Sequence, residues 1–573
     1  MKKKAVLILL SSLLVLSACS NGKNKTDKPA ASESKQEVHE KIKDGTYQGK
    51  APSYNGVTEA EIVVKDKKLA EIHLLHTDDT ESITSRAFPI VEKRILEGQT
   101  PNVDHVTSAT YSSEGYMKAI GKAMKKAGFD IEKKYTPQDV KMEDTTAQLV
   151  VVGSGPSGMI AAIEAKEQGV NNIILIEKED ILGGNGKFDE FFFDFPNTQA
   201  QKDAGIEDNK EEYAELVRSS SFEDKAFVDK RIDEAWNFDA WLRKHGIEAN
   251  YVENKRDTAH SSSELIGPYL ISKLEGLLHE LNIDVRPANK MVDLKIENNV
   301  AKAVTVEHNG QKYNITADRI LIATGGFSSN PDLVSKYIPE ATGLISSNTI
   351  GQTGDFINIA LDNNIQLGHM NERILFNRVI PGTRYQLEAR TPGSLIVNKN
   401  GERFFNEEDT YSVEFVNKVL EQEGKKAYYI YDDEKLHERE GGMGMGEYNK
   451  SSSLKELTEK LGLNYDNVVK SIEHLNAVSR GEETDPLGNN DIGDKVISLD
   501  SKFYYGTPIV PSIHMTLGGL IVDPQMRVLN NDGQAVENLY AAGEVTATSG
   551  IFLEAHVMGR LAGEEIAKSL AAK

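Results

Sequence analysis

The pattern of hydrophobic and polar positions begins with a short apolar segment followed by a long polar one. A basic tip precedes an apolar run from Ala5 to Leu16 that only Ser11 and Ser12 interrupt. This run is about half of the roughly 20 residues that a membrane-spanning helix needs, which is typical of an export signal. Residues 20–43 contain hardly any large apolar side chain, and we expect a flexible, solvated tether there.

The pattern then predicts a small folded domain over residues 44–130. The β-rich runs Ala60–Val64 and Leu69–Leu75 flank a charged turn and predict a hairpin. Apolar residues at helical spacing predict helices over 88–97 and 114–126. Residues 131–146 are mostly polar and are predicted to form a linker.

A second, larger folded region begins with an apolar strand from Ala147 to Val152 that only Gln148 interrupts. A glycine-rich turn, a helix over 159–168 and a second apolar strand, Ile173–Ile176, follow it. This order of elements predicts a βαβ unit and therefore an α/β domain with a parallel sheet.

Composition narrows the class of protein. The chain has 573 residues, of which 39% are hydrophobic and 27% charged, so we expect several water-soluble folded domains rather than a polytopic membrane protein. The net charge of −22 repels phosphate backbones, and no nucleic-acid partner is expected. The one cysteine excludes an intramolecular disulfide, and no metal-ligand spacing is found, so no metal site is predicted.

That single cysteine ends the apolar start of the chain, in the sequence Leu16-Ser17-Ala18-Cys19. The sequence resembles the lipobox of bacterial lipoproteins, in which cleavage before the Cys leaves a thiol that receives a diacylglycerol. An ordinary secretory signal with an accidental Cys is the alternative. The resemblance implies a signal peptide over 1–19, a lipid on Cys19 and an extracytoplasmic protein anchored to the cell membrane.

A hydroxyl-rich loop precedes the predicted helix at 114. Backbone N–H groups at a helix start favour anions, although Ser and Thr that merely cap the helix are the commoner explanation. The sequence Asp44-Gly45-Thr46-Tyr47 and the later sequence Asp104-His105-Val106-Thr107-Ser108-Ala109-Thr110 resemble the FMN-binding domain in the C subunit of sodium-pumping NADH:quinone oxidoreductases. The resemblance implies FMN attached by a phosphoester to Thr110 by a flavin transferase, with Asp104 at the acidic start of the motif. Ser108 stands where Gly is more usual.

The glycine-rich turn has the sequence Gly153-Ser154-Gly155-Pro156-Ser157-Gly158, between a strand and a helix. Glu177 lies 24 residues after Gly153, at the end of the next strand. In such a unit the glycines let the backbone approach a pyrophosphate, and the acid accepts hydrogen bonds from a ribose. The turn therefore predicts a dinucleotide site.

Three further segments favour FAD as the dinucleotide: Gly183-Gly184-Asn185, Ala323-Thr324-Gly325-Gly326-Phe327 and residues 539–546. Together with the turn they resemble the fumarate reductase flavoprotein family, which includes urocanate reductases, aspartate oxidases and 3-ketosteroid dehydrogenases. The resemblance covers 147–573 and implies non-covalent FAD. The FAD-binding residues that it implies are Gly153, Gly155, Ser157, Gly158, Glu177, Lys178, Gly184, Asn185, Ala323, Thr324, Gly325, Gly543 and Glu544.

The family resemblance also implies the domain plan. The expected fold is α/β: a Rossmann-type FAD-binding domain, formed by 147–368 and 512–573, holds an inserted α+β capping domain at 369–511. The small α+β FMN-binding domain precedes both. The FAD supplies a hydride, and the cap closes over the substrate.

Catalytic residues are implied where family motifs recur. The sequence Gly401-Glu402-Arg403-Phe404-Phe405-Asn406-Glu407 resembles the signature before the catalytic acid, where fumarate reductases place an Arg four residues after the Glu. This chain has Tyr411 there, which makes Tyr411 the candidate proton donor. Glu388 and Arg390 resemble the family's proton relay, with a surface salt bridge as an equal alternative. His514 lies in a motif resembling the one whose His binds the substrate's activating group.

The carboxylate-clamping Arg that fumarate reductases carry after Glu544 is missing from this chain. Unless Arg378, Arg384 or Arg390 replaces it, a desolvated dianion would lack partners, which is costly. We therefore expect a larger or less charged enoate or enone, near Phe552 and Leu553.

The resemblance implies an extracytoplasmic enzyme that reduces an activated C=C bond of an unsaturated carboxylate or enone. This substrate is the terminal electron acceptor. Electrons would come from a membrane donor, quinone-linked or belonging to a flavin-based chain, and pass through FMN to FAD. Two alternatives stay open: an FAD-dependent desaturase of the 3-ketosteroid dehydrogenase type, and a non-catalytic lipoprotein that relays electrons.

Overall fold

The computed structural model describes residues 42–107, 109–136, 141–188, 193–252, 255–261, 266–379, 395–410, 412–432, 449–489, 492, 497–549 and 552–572, with only the backbone of 377–379 and 552–554. Within these ranges, no helix is both long enough and apolar enough to cross a bilayer.

The first domain is a three-stranded antiparallel sheet with two helices packed on it. Its strands are Gly45–Pro52, Val57–Lys65 and Lys68–Thr77, and its helices are Glu81–Gly98 and Thr110–Ala127. The predicted hairpin is confirmed: Lys65 pairs with Lys68 across a turn in which Asp66 and Lys67 have φ of 52° and 59°. Two successive positive φ values suit the right-handed twist of the flanking strands.

Helix Thr110–Ala127 lies close against the first strand because of a glycine. A Cβ atom added at Gly49 would lie 2.0 Å from the carbonyl oxygen of Ala119, so a larger residue there would push the helix away. The hydrophobic cluster of this domain includes Ile42, and Ile131 and Tyr135 pack against it. The packed domain therefore extends slightly beyond the predicted 44–130.

The central sheet of the larger region has eight strands among the described residues. Seven follow one another in the order Lys290–Glu297, Val300–His308, Ala535–Ala541, Gln311–Ile322, Thr145–Val152, Ile173–Ile176 and Asp284–Arg286, and Arg527–Leu529 pairs with Ala535–Ala541. The strands from Ala535–Ala541 to Asp284–Arg286 are parallel to one another. The predicted βαβ unit is thus at the centre of a Rossmann-type sheet.

Strand Thr145–Val152 ends in a continuous apolar run, Leu149–Val152, because both of its faces are covered there. Leu149 and Val151 belong to one hydrophobic cluster, whereas Val150 and Val152 belong to the cluster on the opposite face. Helices on the first face are Pro156–Glu167, Lys210–Ser220, Lys225–Lys244, Ile266–Glu280 and Phe552–Ala571.

A second sheet contains strands from both sides of the predicted start of the cap. Its strands are Ile345–Ser346, Arg373–Val379, Leu395–Val397, Ala427–Asp432, Asn449–Ser451 and Tyr504–Thr516. Strand Tyr504–Thr516 pairs with four of the others and ends beside the central sheet. This strand connects the predicted cap to the FAD-binding region and carries His514.

The remaining elements are short or cover these sheets. They are helices Gln199–Asp203, Pro331–Tyr337, Asp355–Asp362, Val413–Glu421, Leu454–Leu461 and Tyr465–Ser479 and strands Phe193–Asp194, Tyr251–Val252, Asp257–Ala259, Leu367–Gly368 and Gly519–Leu520.

Candidate active site

One cavity of about 1800 Å³ collects most of the residues that the sequence predicts for cofactors and substrate. Thr110 of the first domain, Glu177 of the central sheet and His514 of the second sheet all line it. The ordinary volume of a small-molecule pocket is roughly 300–1,000 Å³, so this cavity has room for more than a small substrate.

The glycine-rich turn forms one wall of the cavity and leaves space for a ligand. A Cβ atom at Gly153 would lie 2.3 Å from the carbonyl oxygen of Ala323, and one at Gly158 would lie 2.0 Å from that of Gly153. At Gly155 a Cβ atom would meet nothing within 4 Å. Two glycines are therefore needed for packing, and the middle one faces the open space where a pyrophosphate would approach the backbone.

The predicted ribose acid is held at the end of its strand. Glu177 accepts hydrogen bonds on Oε2 from the backbone N–H and hydroxyl of Ser154, at 2.9 and 2.6 Å, and on Oε1 from the N–H of Glu179 at 2.9 Å. These bonds satisfy one side of a buried carboxylate and fix its orientation along the cavity wall. Lys178 beside it pairs with Asp355 at 2.7 Å.

Two segments that are distant in sequence come together beside the glycine-rich turn. Asn185, which follows Gly184, donates to Asn348 at 2.9 Å and accepts from the N–H of Thr349 at 3.0 Å. The hydroxyl of Thr324 is buried and has no hydrogen-bond partner among the described residues, so it is available to a ligand. An FAD molecule fits this cradle of open backbone, fixed carboxylate and unpaired hydroxyl.

Glu544 carries a half-buried carboxyl group on the cavity wall. It follows Gly543 and accepts hydrogen bonds from the N–H of Thr516 at 3.2 Å and from Gln352 at 3.1 Å. Burial raises the pKa of the Glu544 carboxyl to about 7, because these bonds only partly replace the lost hydration.

The FMN side of the cavity is built around the start of helix Thr110–Ala127. No side-chain hydrogen bond from the described residues caps this helix, and Thr110 is its exposed first residue. Tyr54 and Tyr111 also line the cavity, with 44% and 66% of their surface exposed and ring centroids 6.1 Å apart. Exposed aromatic faces beside a modifiable hydroxyl suit a flat flavin ring.

His514 is held by contacts that the sequence does not reveal. Its ring stacks on that of Phe376, with centroids 3.9 Å apart and planes 11° apart. The hydroxyl of Ser347 lies 3.1 Å from Nδ1, and Asn348 hydrogen-bonds to the carbonyl oxygen of His514. The imidazole therefore has a fixed plane at the apolar end of the cavity.

Each described lysine of the cavity wall already pairs with a carboxylate, although two of them share one. Lys118 pairs with Glu114, Lys187 with Glu179, and both Lys178 and Lys290 pair with Asp355, at 2.5–3.0 Å. No arginine lines the cavity within the part of the chain that the structure describes. These residues offer little charge to balance a dicarboxylate.

The signature residues before Tyr411 form a buried ionic network instead of lining the cavity. Arg403 donates two hydrogen bonds to Glu407, at 2.8 and 2.6 Å, and two to Asp485, both at 2.9 Å. Although burial opposes the shift, Arg403 holds the pKa of Asp485 below its usual value. The network fixes the chain segment that leads to residue 411.

The structure brings together most, but not all, of the residues that the sequence singled out. Gly158 packs behind the turn, and Asp104 is exposed away from the cavity, with its carbonyl oxygen bound by Arg94. The predicted Cys19, Ser108, Arg384, Glu388, Arg390 and Tyr411 lie outside the described residues, as do the side chains of Arg378, Phe552 and Leu553.

Sequence reasoning missed Ser347, Asn348 and Phe376. The run Ser346-Ser347-Asn348-Thr349 is rich in hydrogen-bonding side chains and was an available signal. Its contact with His514 joins residues 167 positions apart, and only the fold reveals such a contact.

Comparisons with known proteins agree with this arrangement. The FAD binding domain family matches residues 148–564, and the FMN-binding domain family matches residues 53–125. The NADH:fumarate oxidoreductase of Klebsiella pneumoniae (strain 342) is 28% identical over 534 residues, which are 88% of this chain and 56% of the relative. The urocanate reductase of Eggerthella lenta is 28% identical over 528 residues, 87% of this chain and 86% of that one.

A solved structure shares the fold of the larger region. The open conformation of a flavocytochrome c3 fumarate reductase superposes with a TM-score of 0.67 at 25% sequence identity, covering 74% of this chain and 78% of the other.

Fold and site together define a flavin-dependent oxidoreductase with one binding domain for FMN and one for FAD. The chain belongs to the FAD binding domain family, whose match covers more than half of it.

Proposed function

We propose that this protein is an extracytoplasmic reductase that adds a hydride and a proton to an activated C=C bond of an unsaturated monocarboxylate or enone. The observation that carries the proposal is that one cavity joins Thr110, the FAD-binding residues and His514. The relatives named as fumarate and urocanate reductases support reduction of a C=C bond as the reaction class.

Bound FAD would supply the hydride, and the chain's own residues would orient the substrate and supply the proton. His514, with its plane fixed by Phe376 and Ser347, binds the group that activates the double bond. A fixed donor at the point where negative charge develops lowers the barrier more than a mobile one. Tyr411 is the proposed proton donor.

The charge on the cavity wall favours a substrate with at most one carboxylate. The lysines on the described wall already pair with carboxylates, and Phe376, Ile374 and Met515 surround the His514 end. A dianion in this environment would lose its hydration and meet at most one uncompensated positive charge, because Lys178 and Lys290 share Asp355. An aryl-acrylate, or an enone of similar size, fits this wall better than fumarate does.

Electrons are proposed to reach the site from a membrane donor through FMN that a flavin transferase attaches to Thr110. The exposed position of Thr110 beside two aromatic rings supports this attachment. Cleavage before Cys19 and addition of a lipid would hold the protein at the outer face of the cell membrane.

The experiment uses purified protein carrying both flavins, reduced chemically in the absence of oxygen. Fumarate, urocanate, aryl-acrylates and enones are added one at a time while the flavin absorbance is recorded. Rapid reoxidation by an aryl-acrylate or an enone, and slow reoxidation by fumarate, is the expected result. If no alkene reoxidises the flavins while a saturated ketosteroid reduces the oxidised protein, the desaturase alternative replaces the proposal. If only protein or quinone acceptors react, the relay alternative replaces it.

A further inference from the structure

The first domain is joined to the FAD-binding domain at the residues that follow the predicted ribose acid. Asp180 and Ile181 come three and four positions after Glu177. The Ile181 side chain is 4% exposed and belongs to the hydrophobic cluster of the first domain, not to those of its own sheet. The two domains therefore share a packed contact beside the cavity.

Asp180 binds the loop that precedes Thr110. Its carboxylate accepts a hydrogen bond from Arg94 at 2.5 Å and another from the backbone N–H of Thr107 at 3.1 Å. Arg94 also donates to the carbonyl oxygens of Asp104 and His105, at 3.0 and 3.2 Å. The side chains of Arg94 and Asp180 are only 22% and 11% exposed, so water screens this ion pair weakly.

These contacts hold the backbone of the loop at two places. Arg94 fixes the backbone at 104–105, and Asp180 fixes it at Thr107, three residues before Thr110. Asp180 lies in the segment that continues from Glu177 and Lys178, both of which line the cavity. The position of Thr110 is thus tied to the wall of the FAD site through one carboxylate.

We propose that Arg94, Thr107 and Asp180 form an interdomain clamp that holds the Thr110 loop against the FAD-binding domain. The clamp rests on the proposed function only in that Thr110 carries FMN. Opening the clamp would leave each domain folded but would release the loop from the FAD-binding domain. Asp180 is the acceptor for both the Arg94 guanidinium and the Thr107 N–H.

A second ion pair between the same two domains provides a matched control. Arg86 of helix Glu81–Gly98 lies 3.3 Å from Glu275 of helix Ile266–Glu280, and neither residue forms a hydrogen bond or ion pair with the described residues of the Thr110 loop. Asp180→Asn and Glu275→Gln each replace an interdomain carboxylate by an amide of the same shape. Only the first should affect the loop.

The test is hydrogen exchange of the full-length protein with both flavins, read by mass spectrometry over peptides covering 104–110. Loss of a charged hydrogen-bond partner predicts exchange at the Thr107 amide that is about tenfold faster in Asp180→Asn and up to about 100-fold faster in Asp180→Ala. Glu275→Gln should match the wild type in these peptides. Asp180→Asn keeps the shape of the side chain and remains informative if Asp180→Ala does not fold.

Unchanged exchange in both Asp180 variants would overturn the clamp, and so would equal acceleration in Glu275→Gln. A second readout follows the two flavins of the chemically reduced protein after an alkene is added. The Asp180 variants should slow reoxidation of the flavin on Thr110. The earlier phase, which is reoxidation of the FAD, should keep its wild-type rate. If no alkene reoxidises the wild-type protein, the proposed function fails, whereas the hydrogen-exchange result still decides on the clamp.

Discussion

His514 is the residue on which the proposed chemistry depends most. Because its ring is stacked on Phe376 and bound by Ser347, it can present a fixed donor to a developing negative charge. We expect His514→Ala to lower kcat/KM for the alkene about 10²–10³-fold, the usual effect of removing one such donor. Ser347→Ala should lower kcat/KM less, since the imidazole is kept and only its orientation is less firmly fixed.

Stopped-flow reoxidation of the reduced variants measures both effects, and the FAD absorbance spectrum checks that the cofactor stays bound. A Ser347→Ala loss as large as that of His514→Ala would contradict an orienting role for Ser347. An active His514→Ala variant would remove His514 from the chemistry.

Glu544 gives a prediction for the pH dependence of stability. Its pKa rises from the usual 4.5 to about 7 in the folded chain, so between these pH values the folded state binds more protons than the unfolded state. The free energy of unfolding of the flavin-free protein should therefore fall as the pH rises from 4.5 to 7. This one group contributes about 3 kcal/mol to that fall, at 1.36 kcal/mol for each unit of pKa shift.

Glu544→Gln removes the titrating group. The free energy of unfolding of this variant should therefore depend less on pH between 4.5 and 7. A glutamine can accept from the Thr516 N–H, and it can donate to Gln352, whose Oε1 has no partner among the described residues. Urea unfolding at pH 5, 6, 7 and 8 measures the difference. Parallel curves for wild type and variant would contradict the raised pKa.

At the scale of single elements, the glycine-rich turn contains one glycine that cofactor binding requires and another that the fold requires. Gly155→Ala adds a methyl group to open space, with φ of −61° that alanine tolerates, so the fold should persist while FAD affinity falls. Gly158→Ala places its methyl group 2.0 Å from the Gly153 carbonyl oxygen and should destabilise the turn itself. Thermal unfolding of the flavin-free proteins and FAD titration distinguish the two effects. Equal loss of stability in both variants would contradict the assigned geometry.

Elements with local signals could be predicted from the sequence. The hairpin around Asp66 and the strand from Ala147 were visible because a turn or a buried strand has a characteristic local pattern. The glycine-rich turn and Glu177 were visible for the same reason. Strand Gly45–Pro52 was not predicted, since it is short of apolar residues and five of its eight positions are exposed.

The non-local parts of the site could not be predicted. The second sheet joins Ile345–Ser346 to Tyr504–Thr516, and its pairing depends on the topology of the whole chain. The contact of Asp180 with the Thr107 loop is likewise a product of domain packing. Arg403 and Glu407 matched a family signature, but the fold shows that they form a buried network with Asp485.

At the scale of the whole molecule, the two binding domains open into the same cavity. Thr110 lines this cavity together with the FAD-binding residues and His514. An oxidoreductase with this plan keeps its electron entry and its substrate within one protein, and shielding from water favours transfer to a substrate over side reactions. Both flavins are therefore expected to give up their electrons to the same alkene.

The most direct measurement is an anaerobic titration of the fully reduced protein with the alkene identified in the reoxidation experiment. A reduced flavin carries two electrons, and saturation of one C=C bond consumes two electrons and two protons. Wild-type protein should consume two alkene molecules per chain, and Thr110→Ala, which cannot carry FMN there, should consume one. Consumption of one alkene by both proteins, or of none by either, would contradict a two-flavin reductase.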